Sequence, residues 1–484
     1  MIIYYFLAGA VALLLTAFAR SHRVMNSVSV VHAASVFGLT AYSAIAGGLP
    51  AFYTEERYFF IDNLASFEVM LSSIVFFLAA VYSSGYVESL VKVKELDRKY
   101  VKAFYTAFNA LLSATVLAFF SNNMALLWIF VELTTLFSAF LIAILNSREN
   151  IDAALKYILL TSTAMLFSFA GLILMFMLSQ GSLGEGSLNW DVLVAGASSF
   201  PAQLAALSFA FMFIGFAAKS GIVPFHLWLP DAYSRSPSAV SAILSAAVSN
   251  IGIYGILRAY AIAGQTGAAG LISGMMMAFG VLSVAVAVFS MLRQDSLKRL
   301  ISFSSIENGG FALAGTAIGT PVAVFWVLFY IAAQSLCKAL MFFSAGILHM
   351  QYESTRAHKM INALALQPAA SWGLVIGAAA LAGMPPFAMF LPKLFVLSEL
   401  ASASGALLLV MAGLLLIGAS ALALFLVRTM TRTAGESVVS VAVPAGMKLP
   451  LFMLTIMIVL AGLFVPEAVS DFLMNAAAAI ARGE

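Results

Sequence analysis

Charged residues and cysteine are both scarce in this chain. Only 9% of its 484 residues are Asp, Glu, Lys or Arg, whereas 63% are hydrophobic and the mean hydropathy is +1.03. Ordinary soluble domains carry about 25% charged residues, so the composition excludes that class. The single cysteine, Cys337, excludes a disulfide within the chain and an iron–sulfur cluster built by the chain alone.

Motifs for nucleotide, metal or redox chemistry are lacking as well. The sequence contains no Gly-rich phosphate loop, no dinucleotide fingerprint and no His/Cys group with metal-ligand spacing. We therefore expect no cofactor, no metal and no catalytic redox group in this chain. The net charge of +3 says little about partners, because the basic residues lie in loops between apolar segments, and nothing indicates a nucleic acid.

Long apolar runs dominate the sequence. A transmembrane helix needs roughly 20 apolar residues, about 30 Å at 1.5 Å per residue. The sequence therefore predicts an all-α integral membrane protein, one membrane domain over 1–484 with no soluble domain, and a mature first helix. The predicted spans number about fourteen: 2–19, 25–47, 61–86, 103–121, 122–145, 155–179, 203–228, 238–262, 268–292, 299–319, 322–348, 372–400, 405–428 and 449–470.

The basic residues predict the orientation. Of the 24 Lys and Arg, eighteen lie in the connections after odd-numbered spans, and three lie on the other side: Arg57, Arg258 and Arg482. The remaining three are inside apolar runs. By the positive-inside rule, this bias places both termini on the outer face and supports the count of fourteen.

Two spans are unusually long and contain Gly, Pro and a lysine. Span seven includes KSGIVP (219–224), and span twelve includes GMPPFAMFLPK (383–393). Interrupted helices in corresponding positions are typical of transporter repeats with an ion site near the bilayer midplane. We expect two inverted five-helix repeats, spans four to eight (about 103–262) and nine to thirteen (about 268–428), flanked by helices over 1–86 and 449–470.

Lys219 and Glu132 are the first candidate pair. A charge in the middle of a span costs about 2.5–3.5 kcal/mol on insertion scales, so such residues are by default functional. Burial favours the neutral amine and a nearby carboxylate favours the ammonium, so Lys219 can exchange a proton, which an arginine cannot do. The alternatives are a static ion pair that fixes helix packing, or a Lys219 side chain that reaches the inner surface.

Lys338 and Lys393 lie in comparable apolar runs. Lys338 is in the middle of span eleven, which favours a relay or the inner end of a second half-channel, and Lys393 follows Pro392 in an interrupted span, which favours an exit group. The alternative for each is a packing lysine with a buried stem.

Several further groups are candidate relays. His226 ends span seven and His349 ends span eleven, and both are either proton carriers or interfacial residues. Glu307 lies deep in span ten, where it pairs either with Lys298 or Arg299 or with another span.

Four charged residues near the span ends are expected to have simpler roles. Asp62 and Glu68 begin span three near the outer face and need no special role. Asp231 and Arg235, in an inner loop, are expected to pair at the entrance or to be solvated.

Two segments resemble a known family. KSGIVPFHLWLPDAYSRSPSAVSAILSAAVSNIGIYGILR (219–258) and RQDSLKRLISFSSIENGG (293–310) are similar to motifs of the antiporter-like subunits of complex I, group 4 membrane-bound hydrogenases, formate hydrogenlyases and Mrp antiporters. The resemblance covers nearly the whole chain. The motif SSIEN and the short length of the chain resemble most the hydrogenase-4 and formate-hydrogenlyase branch.

The resemblance implies a proton-translocating subunit in a prokaryotic-type inner membrane, coupled to other membrane subunits and a peripheral redox arm. Glu132, Lys219, Lys338 and Lys393 match the family's glutamate and lysines. Many members carry a lysine or histidine in span eight, where this chain has Asn250. Any relay there needs water or Ser249, because an amide carries no charge.

Three functions therefore stay open. The preferred one is proton translocation, or exchange of protons against sodium, in a redox-driven translocase complex of the hydrogenase type. The second is a non-pumping membrane anchor, which Asn250 favours. The third is a gradient-consuming subunit of an Mrp-type antiporter or an inorganic-carbon uptake system.

Overall fold

A bundle of long helices makes up the computed structural model, which describes residues 1–45, 49, 51–52, 57–432 and 439–481. A short antiparallel pair, β1 (Ala51–Phe52) and β2 (Phe60–Ile61), joins α2 to α3. The helices are α1 (Ile2–Phe18), α2 (His22–Ile45), α3 (Asn63–Lys92), α4 (Val101–Phe119), α5 (Met124–Ala143), α6 (Arg148–Leu183), α7 (Trp190–Gly196), α8 (Ala202–Ser220), α9 (Leu229–Arg235), α10 (Ser238–Ile243), α11 (Ser249–Ala263), α12 (Ala269–Met291), α13 (Leu297–Ile318), α14 (Pro321–Tyr352), α15 (Ala363–Leu366), α16 (Pro368–Ala382), α17 (Phe390–Ala403), α18 (Gly405–Met430), α19 (Ala445–Leu463) and α20 (Glu467–Ala478).

The all-α membrane class predicted from the sequence is confirmed. Eleven helices of the described chain are long and apolar enough to cross a membrane, and α1 and α16 are shorter apolar helices. Helix α13, counted as span ten, belongs to neither group, so fourteen spans stay a prediction. Residues 46 and 47 of span two and Arg482 lie outside the described residues.

Two helices form the centre of the bundle. The continuous helix from α10 to α11 and the 32-residue α14 are buried around most of their circumference, whereas α2, α18 and α19 expose most of their apolar side chains. A helix that is apolar on every side is stable only inside a bundle or in lipid. Polar side chains on α11 and α14 therefore face other helices, not water.

Both predicted interruptions are present. Helix α8 ends at Gly221, with φ of 75°, and α16 ends at Gly383, with φ of 83°. Left-handed glycine is the usual helix stop because other residues are strained there. Each stop is followed by a short non-helical segment before α9 or α17 begins. The two interruptions thus share a left-handed glycine followed by a short non-helical segment. The inverted repeat stays a prediction.

Helix α11 also begins irregularly. A π-turn over Leu244–Val248 links α10 to α11, directly before Ser249 and Asn250. Such turns insert a residue into the helix and are frequent at functional sites. The turn rotates the following residues of α11 relative to those of α10.

Close packing of α8 and α11 beside the first interruption generates a testable prediction. A Cβ atom at Gly252 would lie 2.2 Å from Ser220 Oγ and 2.6 Å from the Phe216 carbonyl oxygen. Gly252→Ala should therefore destabilise the protein by about 1–3 kcal/mol through overpacking. Thermal unfolding of the purified protein in detergent measures this. Gly274→Ala on α12 is the matched control, because nothing lies within 4 Å of its Cβ position, and equal melting temperatures for the two variants would contradict the prediction.

Candidate functional site

Lys219 lies at the end of α8 with 1% of its surface exposed. Its Nζ donates hydrogen bonds of 2.8 Å to Thr135 Oγ1 on α5 and to Tyr157 OH on α6. Tyr157 OH lies 2.9 Å from Ser138 Oγ, which belongs to α5. The ammonium is therefore held by neutral hydroxyl groups.

Glu132 lies on α5, one turn before Thr135. Its Oε2 accepts a 2.8 Å hydrogen bond from Ser162 on α6, and its Oε1 is buried without a partner in the described chain. Glu132 and Lys219 form no ion pair within 4 Å. Lys219 thus contacts α5 one turn after Glu132, but the two charged groups do not contact each other directly.

Lys338 is completely buried on α14. Its Nζ donates to Ser304 Oγ and, at 3.2 Å, to the Ile301 carbonyl oxygen, both on α13. Glu307 lies on α13 one turn after Ser304. As at Lys219, the ammonium bonds to a neutral oxygen one turn from a glutamate; Glu307 is buried, whereas Glu132 is only partly buried.

Lys393 lies on α17 with 6% of its surface exposed. Its Nζ donates a 2.5 Å hydrogen bond to the carbonyl of Leu381, in the last turn of α16, and its Cδ packs over Gly383. The last carbonyls of a helix lack partners within the helix and form the negative end of its dipole. The second interruption therefore provides the acceptor for this lysine.

Glu307 faces neighbouring helices. Its carboxylate interacts electrostatically with Lys338 and Lys393, and both of its oxygens would lie 3.1 Å from a Cβ at Gly418 on α18. The alternative of pairing with Lys298 or Arg299 on its own helix does not occur. Glu307 thus lies within electrostatic reach of both lysines of the second repeat predicted from the sequence.

Asn250 joins α11 to α3 and α14. Its Nδ2 lies 3.4 Å from Glu68 Oε2 on α3 and 3.2 Å from Ser335 Oγ on α14. Its Oδ1 accepts a 3.4 Å hydrogen bond from Gln334, also on α14. Ser249 donates to its own helix, at the Ser245 carbonyl. The uncharged position in span eight is therefore the centre of a polar cluster.

The two histidines lie apart from the lysines. His226 is half-buried between α8 and α9, and its Nδ1 has no hydrogen-bond partner among the described residues. His349, near the end of α14, lies 3.0 Å from Glu95. The hydrogen bond from His349 lowers the pKa of Glu95. Both histidines stay candidate relays at the bundle's ends.

Sequence reasoning missed one buried ion pair. Arg258, expected on the outer side, is 1% exposed, and its Nη2 lies 2.7 Å from Asp62 Oδ1 at the start of α3. The Arg258 guanidinium also stacks near Trp190, 4.4 Å from the ring centre. Arg258 therefore belongs to the buried face of α11 and not to a solvated connection, while its outer-side placement stays a prediction.

Glu68 was also missed: it is fully buried and contacts Asn250, so it is not an ordinary group at the start of a span. The signal was present, since Glu68 stands in the apolar run FEVML (67–71).

The inner loop pairs differently from the prediction. Asp231 bonds to Lys156 at 3.1 Å and to Arg299 at 2.6 Å, not to Arg235. Burial alone would raise the pKa of Asp231, but these two cations lower it. Lys298, counted among the loop residues, is buried and donates a 2.5 Å hydrogen bond to the Ser236 carbonyl. These contacts fasten α9 to α6 and α13.

The comparison with known families is decisive for the class of protein. A family model described as NADH:quinone oxidoreductase/Mrp antiporter, transmembrane, matches residues 121–420, more than half of the chain. The chain belongs to this family. The resemblance identified from the sequence is confirmed, and the chain is an antiporter-like membrane subunit.

Curated relatives of this antiporter-like protein have several names. It is 27% identical to the hydrogenase-4 component F homolog of Methylacidiphilum infernorum over 442 residues, 90% of this chain and 92% of that protein. It is 27% identical to hydrogenase-4 component B of Escherichia coli over 74% of this chain, but only 53% of that longer protein. It is 25% identical to a Na(+)/H(+) antiporter subunit of Bacillus subtilis over 69% of this chain and 64% of that protein.

Solved structures share the fold of this antiporter-like protein. A chain of the archaeal membrane-bound sulfane sulfur reductase matches with a TM-score of 0.83 and 21% identity, covering 98% of this chain and 96% of that one. A chain of the Dietzia Mrp complex matches with a TM-score of 0.82 and 17% identity, over 99% and 96%. A chain of Thermus thermophilus complex I matches with a TM-score of 0.74 and 20% identity, over 96% and 97%.

The contact between α18 and Glu307 generates a second prediction. A valine at position 418 would push against the carboxylate and separate it from Lys338 and Lys393, so Gly418→Val should reduce ion translocation several-fold. The measurement is ion movement into vesicles that contain the assembled complex. Gly413→Val on the same helix is the control, because nothing lies within 4 Å of its Cβ position, and equal losses in both variants would contradict the assignment.

Proposed function

We propose that this subunit translocates protons across a prokaryotic-type inner membrane within a redox-driven complex of the membrane-bound hydrogenase type. The observation that carries the proposal is the set of three ammonium groups buried on α8, α14 and α17, each bonded only to neutral oxygens in the described chain. Without a contacting carboxylate, each lysine can lose its proton at a cost that nearby charges alter.

The two interrupted helices support a transport role. Helix breaks inside a membrane are tolerated where the freed backbone groups line an ion site or a cavity. Lys219 precedes the first break, and Lys393 bonds to a carbonyl released by the second. A static anchor has no need for either arrangement.

The roles follow the order of the groups through the bundle. Glu132 and Lys219 form the inlet pair, Lys338 is the relay, and Lys393 is the exit, with Glu307 between the last two. Two charges about 8 Å apart interact by roughly 2 kcal/mol at an effective dielectric constant near 20, which exceeds one pKa unit. Protonation of one group therefore alters the next without direct contact.

Asn250 has polar contacts beside Lys338. It bonds to Ser335 and Gln334, which lie one turn before Lys338 on α14. The amide itself carries no proton charge, so transfer across it needs hydroxyl groups or water. These contacts support a relay role for position 250 over the non-pumping anchor.

The expected partners are other membrane subunits and a peripheral redox arm, because this chain has no redox motif. The near full-length match to a hydrogenase-4 component supports the hydrogenase type. The basic loops support an orientation with both termini on the outer face. Co-purification from the native membrane followed by identification of the bound subunits tests this assignment.

Substitution of Lys219 tests the mechanism. Lys219→Met should abolish proton translocation in inverted vesicles while the complex still assembles, because the inlet group can no longer carry a proton. Lys219→Arg should fail as well, since a guanidinium keeps its charge but does not release its proton. A fluorescent probe of the pH gradient gives the measurement, with the redox reaction of the complex as its driving force.

Lys359→Met is the matched control, because this lysine is exposed outside the long helices. It should pump like the parent. Normal pumping by Lys219→Met would refute the proposed function, and normal pumping by Lys219→Arg would refute proton transfer at this residue.

A second candidate is exchange of sodium against protons. The similarity to the Na(+)/H(+) antiporter protein of Bacillus subtilis favours it. Sodium uptake measured in the same vesicles separates the two: sodium movement that depends on Lys219 would favour the antiporter, and proton movement unaffected by sodium would favour the pump.

A further inference from the structure

Glu68 is a buried carboxylic acid that the pathway above does not use. It lies on α3, is completely buried, and its Oε1 has no hydrogen-bond partner in the described chain. Its Oε2 accepts one long hydrogen bond, 3.4 Å, from Asn250. No cation lies within 4 Å of it among the residues with described positions. Burial of an ionised carboxylate without a partner is costly, so this group needs a proton or a transient positive neighbour.

The surroundings of Glu68 are polar but incompletely bonded. Ser72, four residues after Glu68 and so on the same face of α3, also has a buried hydroxyl group without a partner among the described residues. Buried polar groups are nearly always satisfied, and internal water is the usual partner where protein atoms do not reach. This side of α3 can therefore pass a proton between hydroxyl groups and water.

Asn250 connects Glu68 to the lysine path. The same amide that bonds to Glu68 bonds to Ser335 on α14, one turn from Lys338. Glu68 thus contacts Asn250, the amide that stands in span eight where many family members have a positive group. It adds a titratable group to that cluster.

Helix α11 continues from this cluster to one end of the bundle. Asn250, Tyr254 and Arg258 are four residues apart and so share one helix face. Arg258 forms the buried ion pair with Asp62, which caps the first turn of α3. Glu68 is six residues after Asp62, about 9 Å along the helix. The ion pair therefore lies between Glu68 and the end of α3.

A cavity lies beyond the ion pair. It has a volume of about 230 Å³ and is lined by Asp62, Asn63, Asp191 and Asn475, among others. The positive-inside bias places this end of α3 on the outer side. These acidic and amide side chains offer hydrogen-bond partners for water among apolar neighbours such as Phe60, Leu64 and Trp190.

We propose that Glu68 is a further proton-carrying residue, which connects the cluster at Asn250 to the cavity at Asp62 as a second exit branch. One proton moves: an O–H bond of a protonated water molecule beside Asn250 breaks as the O–H bond on Glu68 Oε1 forms, and that bond later breaks to return the proton to water, which carries it past the Asp62–Arg258 pair to the cavity. The Asp62–Arg258 pair separates Glu68 from that cavity. This inference rests on the proposed proton translocation.

Glu68→Gln tests the proposal in the assembled complex. The amide has the same shape but cannot carry the proton, so the number of protons moved per redox turnover should fall at least twofold while the redox reaction continues. Glu68→Asp should restore part of the loss. Glu88→Gln is the matched control, because Glu88 is an exposed residue of the same helix and should pump like the parent.

Infrared difference spectroscopy during turnover separates proton transfer from a structural role. The parent should show a carboxylic-acid carbonyl band that shifts in deuterium oxide, and Glu68→Gln should lack it. A variant that pumps normally, or one that loses pumping while the band remains, overturns the inference. If Glu68→Gln does not assemble, the Glu68→Asp variant decides, because a carrier should shift the band and a spectator should not.

The two proposals fail in different ways. Loss of pumping in Lys219→Met together with normal pumping in Glu68→Gln overturns only the exit branch. Absence of proton movement in the parent complex, with an intact redox reaction, overturns the proposed function itself.

Discussion

The arrangement of the bundle depends on the need of each buried ammonium group for hydrogen-bond acceptors. Of the four buried lysines of the described chain, the three inside long apolar runs each find hydroxyl or carbonyl oxygens instead of a carboxylate: Thr135 and Tyr157 for Lys219, Ser304 and Ile301 for Lys338, and Leu381 for Lys393. Neutral acceptors stabilise the ammonium without locking it in a salt bridge. The proton affinity of each lysine then depends on charges farther away, such as Glu307 for Lys338 and Lys393.

The second interrupted helix meets this need locally. A helix that stops at a left-handed glycine leaves carbonyl groups without partners, and at Gly383 the Lys393 ammonium satisfies one of them, whereas Lys219 at the first stop bonds to hydroxyl groups of α5 and α6. The stops at Gly221 and Gly383 have the same backbone form. The non-helical segments that follow are buried only in part: Ile222, Val223 and Trp228 face other helices, whereas Leu227 and Met384 are 65% and 55% exposed. The break in α16 and the position of Lys393 therefore both follow from the need of a buried ammonium group for hydrogen-bond acceptors.

Position 250 shows how an uncharged residue can hold such a network together. Its amide both donates and accepts, so it bonds to a carboxylate on α3 and to polar side chains on α14 at the same time. A lysine there could only donate. The loss of a positive charge is accompanied by a buried acid, Glu68, whose second oxygen is still unbonded among the described residues. The centre of the bundle therefore differs in chemistry from a simple row of lysines.

The sequence by itself determined the membrane class, the interruptions and the lysines in the apolar runs, because apolar length, Gly–Pro breaks and isolated charges are local properties of the chain. It did not determine which groups meet. Arg258 pairs with an acid 196 positions earlier, and Asp231 pairs with Lys156 and Arg299 instead of its neighbour Arg235. Glu132 and Lys219 were expected to pair and are held by separate hydroxyl groups. Partners across a bundle depend on how each helix is rotated about its axis, and the π-turn before Asn250 alters that rotation in a way that hydropathy does not encode.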